Sequence, residues 1–215
     1  MLADFGRRAA GQIAPLVPDP LVRQFWPLVT GRMQEVGHLG ACLAQARHQL
    51  ECQWGSRTLE IPQSRVCDQE SFAWFACHLL AQLPRLRTVY NEVVGEYRRA
   101  HGIRSTAHPV PDLAAEGPWL EAPFWIWTAS DPERRHLFVR QRRGGLLLTD
   151  REHLEVCLPL APDGDASRAV EEFASLAARG IKIRSRALIT TLWARLVLSD
   201  LFVHGIGGAK YDQLT

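Results

Sequence analysis

Lysine is nearly missing from this chain: Lys182 and Lys210 are its only two, and arginine supplies the rest of the 25 basic residues. With the many alanines, this reads first as the coding bias of a GC-rich gene. It also marks Lys210, because Arg cannot replace Lys where a compact or deprotonatable amine is required. Net charge is small as well: +2 over 215 residues makes no electrostatic case for a nucleic-acid partner. No apolar run reaches the roughly 18 residues of a membrane span. Residues 187–203 come nearest, and Arg195 and Asp200 interrupt them. Residues 1–14 carry an acid and two arginines and lack the unbroken apolar core of a secretory signal. The five cysteines (Cys42, Cys52, Cys67, Cys77, Cys157) are odd in number and sit mostly among apolar residues. No CxxC pair or Cys/His cluster has zinc spacing, so buried reduced thiols, a cytoplasmic location and no metal are expected. A GxSxG elbow, an HExxH helix, a carboxylate pair, an internal repeat and a low-complexity tract are all absent.

What is present divides into a helical half and a mixed half. Residues 1–30 are punctuated by Pro15, Pro18, Pro20 and Pro27, which leaves room for short helical pieces only, a helix starting near Asp19 among them. Met33, Val36, Leu39, Leu43, Ala46 and Leu50 follow helical spacing and predict one helix over 32–53, weakened by Gly37 and Gly40. His38 and His48 read as half-buried or solvated helix positions. A brief extended segment at 58–61 precedes an amphipathic helix through Phe72, Phe75, Ala76, Leu79 and Leu80, capped by Ser64 or Asp68. Pro84 separates it from a second helix over 86–100. Tyr90, Asn91, Tyr97 and Arg98 recur on one edge of that helix; a solvated face is the first reading, a hydrogen-bonding row the alternative.

Pro109, Pro111 and Pro118 make 107–120 a joint. Beyond it, 121–160 reads as an antiparallel β unit with turns at Asp131-Pro132 and Gly144-Gly145. Trp125 and Trp127 would share one face, and Phe124 and Ile126 the other. The core of a small sheet is the first reading of these aromatics, and a platform for a ligand is the alternative. His108, His136 and His153 fall in loops or near strand ends, and the sequence assigns them no role. A short helix to Ala178, ended by Gly180, precedes a strand at 181–184 and a helix over 187–197.

The densest group of chemical functions closes the chain: His204-Gly205-Ile206-Gly207-Gly208-Ala209-Lys210-Tyr211-Asp212. After a buried apolar segment, this run fits an element–loop–helix unit in which glycines let successive N–H groups converge on an oxyanion or phosphate. A helix starting near Ala209 would add its positive dipole end. In this reading His204 and Lys210 are the catalytic candidates, as proton shuttle and counter-charge. Gly205, Gly207, Gly208, Tyr211 and Asp212 are the ligand-binding candidates. Arg184 and Arg186 flank Ser185 and either clamp a phosphate or carboxylate at the same end or are solvated. A packing turn is the alternative for the glycines, since the spacing matches neither a Walker A nor a Rossmann fingerprint.

The segments Tyr90-Asn91, Tyr97-Arg98, His101-Gly102-Ile103-Arg104, Pro109-Val110-Pro111-Asp112-Leu113, Glu121-Ala122-Pro123-Phe124-Trp125 and 202–212 resemble a group of uncharacterised bacterial, planctomycete-like proteins, over about half the chain. The ending, with Arg186-Ala187-Leu188, an apolar run, a Gly-Gly loop and a Tyr, is loosely similar to the C-terminal part of the bacillithiol cysteine-ligase family. There an Arg-Pro-Leu segment leads to a Gly-Gly-Pro-x-Glu-x-x-x-Tyr run. This chain has Ser185-Arg186-Ala187 and lacks the Pro and Glu, so no catalytic residue transfers. The similarity implies an α/β fold and a nucleotide or acidic small ligand.

The expected fold is α/β of the mixed α+β kind: a helical region over 1–106, a Pro-rich joint over 107–120, and an α/β region over 121–215. The expected function is binding of a small anionic or nucleotide-like molecule, with ligase or transferase chemistry as its enzymatic form. The alternative is a non-catalytic binding or scaffold module acting through a partner protein. Neither nucleic acid nor membrane is an expected partner, and cofactor and oligomeric state stay open. So few residues follow the glycine run that the chain is expected to be part of a longer protein or a truncated relative of one, with a chain finishing on a frayed turn as the alternative.

Overall fold

The computed structural model describes residues 2–160, 165–205, 208–209 and 212–215. The chain divides into two compact units, residues 1–62 and 63–215. The architecture is mixed α+β, with helices dominating the N-terminal half and an antiparallel sheet following. Residues 63–100 belong to the sheet-bearing unit, so the unit boundary lies well before the Pro-rich joint that the sequence suggests.

The first unit consists of α1 (Leu2–Ile13), α2 (Val22–Val36) and α3 (Leu39–Gln53). Its core is Val29, Cys42 and Ala46, surrounded by Phe25, Trp26, Leu28, Met33, Val36 and Leu43. The Trp26 indole stacks at 4.7 Å on Phe5 and donates its N–H to the Leu2 carbonyl. A Cβ on Gly6 would lie 2.2 Å from that indole, so only glycine allows the approach. Two expectations are corrected here. The N-terminal helices are longer than the prolines suggested, because Pro15, Pro18 and Pro20 cluster in one connector and Pro27 sits inside α2. The single helix over 32–53 is two: Gly37 takes φ 64° and ends α2, and His38 starts α3 by accepting the Ala41 N–H on Nδ1.

The second unit opens with α4 (Gln63–Cys67), α5 (Glu70–Ala81) and α6 (Leu83–Ala100). Pro84 lies in the first turn of α6, where its missing N–H costs nothing, so α5 and α6 nearly abut. The strands are β1 (Ala115–Glu116), β2 (Trp119–Thr128), β3 (Arg135–Arg142), β4 (Gly145–Thr149), β5 (Glu155–Leu158) and β6 (Ile181–Ser185). Strands β1 to β5 form an antiparallel meander. The first half of β2 pairs with β1, and β6 pairs with its second half. Pro123 is tolerated in this central strand because the β2–β3 register shifts between Ala122 and Trp125; it lies in that bulge. Its carbonyl accepts the Arg186 N–H.

One face of the sheet is the core. Ala122, Phe124, Ile126, Leu137, Val139 and Ile183 pack against α5, α7 (Ser167–Ser175) and α8 (Ala187–Trp193). Phe72 is the hub, with its ring edge-on to Phe124 at 6.3 Å and to Trp193 at 5.4 Å. After α8 a π-helix, Ala194–Leu198, ends where Ser199 turns back onto the Ala194 carbonyl. The apolar segment that follows is neither a helix end nor a buried strand. Leu201 and Val203 are 80% and 81% exposed, since among the described residues this stretch pairs with no strand and nothing packs over those two side chains.

The polar edge of α6 is a hydrogen-bonding row, not a solvated face. Asn91 exchanges two hydrogen bonds with the Leu113 backbone, at 2.8 and 3.0 Å. Arg98 donates to the carbonyls of Thr106, His108 and Val110 and pairs with Asp112 at 2.8 Å. The prolines strip this loop of N–H donors, and α6 satisfies its carbonyls instead.

Candidate functional site

The C-terminal run is built against α8 and the π-helix. The amides of Gly208 and Ala209 both donate to the Gly205 carbonyl, at 2.8 and 2.9 Å, so these two N–H groups point into the loop. His204 places Nε2 3.4 Å from the Thr191 hydroxyl, and its ring is edge-on to Phe202. A Cβ on Gly208 would fall 1.8 Å from His204 Nδ1; the imidazole occupies the space that any larger residue would need. Asp212 pairs with Arg195 at 2.8 Å. Gly207, Lys210 and Tyr211 lie outside the described residues.

Arg184 and Arg186 have partners of their own. They leave β6 and the start of α8 as buried side chains already facing carboxylates. Arg184 reaches Asp68 at 2.9 Å and its neighbour's carbonyl, and Arg186 reaches Glu121. Among the described residues, no hydrogen bond or ion pair joins either arginine to the glycine run. Among the described residues the partners of the run come from α8 and the π-helix, those of the arginines are Asp68 and Glu121, and Leu214, just past the run, packs with Tyr90, which senses the charge of Arg186.

The sheet face opposite the core is where the arginines gather. The two extra residues in the β2 bulge preserve the alternation, so Trp119, Glu121, Trp125 and Trp127 share this face with His136, Phe138 and Arg140 of β3. Phe124 and Ile126 are wholly buried on the other side, as the alternation predicts, whereas Trp119, Trp125, Trp127 and Phe138 keep part of their surface. Guanidinium groups cover these rings. Arg140 and Arg151 lie 4.6 and 4.9 Å from Trp119, Arg134 lies 5.2 Å from Trp127, and Arg186 lies 5.1 Å from Trp125. Arg134 and Arg151 are exposed and Arg140 is half-buried, so these three can meet a ligand over their rings, whereas Arg186 is buried.

Glu121 anchors the middle of this face. Its Oε1 accepts Arg186 and lies 2.8 Å from His136 Nδ1, and its Oε2 accepts the Ala114 N–H at 2.9 Å. The carboxylate is buried, but the His136 side chain is 41% exposed. The ring thus turns Nδ1 toward the carboxylate. Tyr90 of α6 stands nearby. Burial pushes its hydroxyl above the usual range, Arg186 works against that shift, and Glu121 adds to it. Chemically, the arrangement supplies cations and ring planes for an anion, with one oriented imidazole beside them.

The sequence signalled the Trp125/Trp127 pairing but not its partners. His136, Phe138 and Arg140 alternate with Leu137 and Val139, a period that was visible. The pairing of Glu121 with Arg186, 65 residues away, was not. The cysteines take no part in this face beyond Cys157, which accepts a long hydrogen bond from Arg142, and burial pushes the Cys77 thiol up to about 12. Among the described residues, no three His, Cys, Asp or Glu side chains gather to hold a metal ion. No family model, no curated protein and no solved structure matches the chain.

Proposed function

We propose that this chain binds an anionic, ring-bearing ligand of nucleotide type on the arginine–aromatic face of its sheet. The observation that carries the reading is the set of half-exposed tryptophans on β2, each with a guanidinium stacked over it. Rings favour a planar ligand, and arginines favour phosphate or carboxylate. Arg184 and Arg186 keep a role as the buried end of the face, where their carboxylate partners hold them in place. Thermal shift and tryptophan quenching with nucleoside monophosphates, inorganic phosphate and citrate test this. Nucleotides should quench and stabilise most, and Trp127→Ala should remove both effects; silence with every anion would sink the proposal.

The second reading is a module acting through a partner protein. It is favoured by the exposed apolar residues Leu196, Leu198, Leu201 and Val203, which lie together in sequence ahead of the glycine run. A ligase or transferase reaction at His204 and Lys210 would need the loop to bind an anion. Loss of an anion-induced thermal shift in Lys210→Ala, but not in Trp127→Ala, would move the site there.

A further inference from the structure

We infer that the ligand of this face is a single strand of nucleic acid, not a free nucleotide; the inference rests on the face being an anion site. The first argument is extent. Trp119 and Trp127 lie at opposite ends of a ten-residue strand, and at about 3.3 Å per residue they stand roughly 25 Å apart before the bulge shortens the path. Trp125 and Phe138 lie between them on the same face. One base covers one ring, so a mononucleotide leaves most of this surface unused. A chain of bases joined by phosphates matches a row of rings with cations lying over them, where a base meets a ring edge or a guanidinium plane and a phosphate meets the charge.

The second argument is local charge. The small net charge averages over the whole chain, whereas a ligand meets one face. Arg134, Arg140, Arg142 and Lys182 have no carboxylate within ion-pair distance among the described residues. Arg151 faces Glu116 only at 3.6 Å. The buried pairs Arg184–Asp68 and Arg186–Glu121 are neutral in sum, and the acids Asp131, Glu133 and Glu152 gather on Arg135, which leaves Arg134, Arg140, Arg142 and Lys182 as the cations of the face without an ion-pair partner among the described residues.

The third argument is a backbone cost taken at one position. Arg151 is the sole non-glycine among the described residues with positive φ, at 69°. Glycine or asparagine would meet that requirement more easily. The turn there is built by Asp150, whose Oδ1 accepts the N–H groups of Glu152, His153 and Leu154, each at 2.9 Å. The side chain so delivered lies over both Trp119 and Phe138. A strained residue whose product is a cation on the ring row is accounted for by a ligand that needs the cation there.

The experiment is a length series, from uridine monophosphate through oligouridylates from dimer to dodecamer, read by tryptophan quenching and by calorimetry. Affinity should climb at least tenfold from monomer to hexamer, level off once the strand spans β2, and fall as salt rises. An RNA duplex, whose bases are already paired, should compete poorly. Trp127→Ala and Arg134→Ala should each weaken the dodecamer about tenfold while circular dichroism stays unchanged. Equal affinity for monomer and dodecamer would overturn the strand and leave the anion face standing. No binding at any length, with nucleotides also silent, would remove both. Strand binding untouched by Trp127→Ala and Arg134→Ala would overturn the location.

Discussion

Glu121 and Arg186 meet inside the second unit as a buried ion pair, with side-chain exposures of 5% and 10%. Both oxygens of the carboxylate are used, by Arg186 and His136 on one side and the Ala114 N–H on the other. Such a pair costs desolvation and repays it only while complete, so removing one member leaves an uncompensated charge. Glu121→Ala should destabilise the unit by about 3–5 kcal/mol. The double variant Glu121→Leu with Arg186→Met should recover most of the loss. Urea unfolding of the singles and the double measures both. A double variant no better than Glu121→Ala would show that the pair contributes packing and not charge.

Arg151 separates binding from stability. Replacing it with glycine relieves the φ of 69° but removes the cation from Trp119 and Phe138. The two effects oppose each other, each at about 1 kcal/mol, so Arg151→Gly should leave the unfolding free energy within about 1 kcal/mol of the parent. Affinity for a nucleotide or strand should nonetheless drop. An unchanged affinity would show that this side chain serves only the turn.

These two positions also mark where the sequence was legible. The alternation of Phe124 and Ile126 with Trp125 and Trp127 reported the two faces of β2, because a strand writes its faces into neighbouring residues. The glycine run was visible for the opposite reason: its chemistry is contiguous. The arginine face was not, since it assembles Trp119, Arg140, Arg151 and Arg186 from four separate segments, and no local pattern encodes which strand edges meet. Gly37 was seen as a weakness in one helix and not as its end, because helical periodicity continues across the break from α2 into α3. The exposure of Leu201 and Val203 was illegible for a related reason, as apolar composition says nothing of whether a partner surface reaches the segment.

The loop carbonyls held by α6 give a prediction about polarity. In Asn91→Asp the side chain still accepts from the Leu113 N–H but presents a carboxylate oxygen to the Leu113 carbonyl, where the amide now donates. That change should cost about 1–3 kcal/mol. Hydrogen exchange should then show the amides of Val110 and of residues 112–114 losing protection before those of β2. Simultaneous loss across the whole unit would mean that the loop and the sheet open together.

The hub of the core predicts a contrast between two large aromatics. Phe72 is wholly buried among Phe124, Phe173 and Trp193, so Phe72→Ala should cost about 3–5 kcal/mol through the cavity it leaves. Trp193 is equally buried, but its Nε1 has no hydrogen-bond partner among the described residues. Trp193→Phe gives up volume and also removes an unpaired donor, and the two effects largely cancel, leaving a change of about 1 kcal/mol. Chemical denaturation of both variants decides it; an equally severe Trp193→Phe would show that the indole volume outweighs its stranded N–H.

Asp150 predicts an acid dependence whose sign follows from its surroundings. Burial works against its charge, but the N–H groups of Leu154, Glu152 and His153 outweigh burial and hold the carboxyl below its usual value. A folded value below the unfolded one, about 3.9 for Asp, means that the carboxylate contributes its full stability above that pH. The contribution is lost as pH falls through the depressed folded value, when the turn must take up a proton. Asp150→Asn should therefore lower the melting temperature at neutral pH, by an amount that stays constant down to about pH 4 and then shrinks. The same variant loosens the turn that sets Arg151 over Trp119, so its affinity for an anionic ligand should fall even where its stability matches the parent. A melting-temperature gap that widened toward acid would reverse the sign and show that the carboxyl is held above its unfolded value.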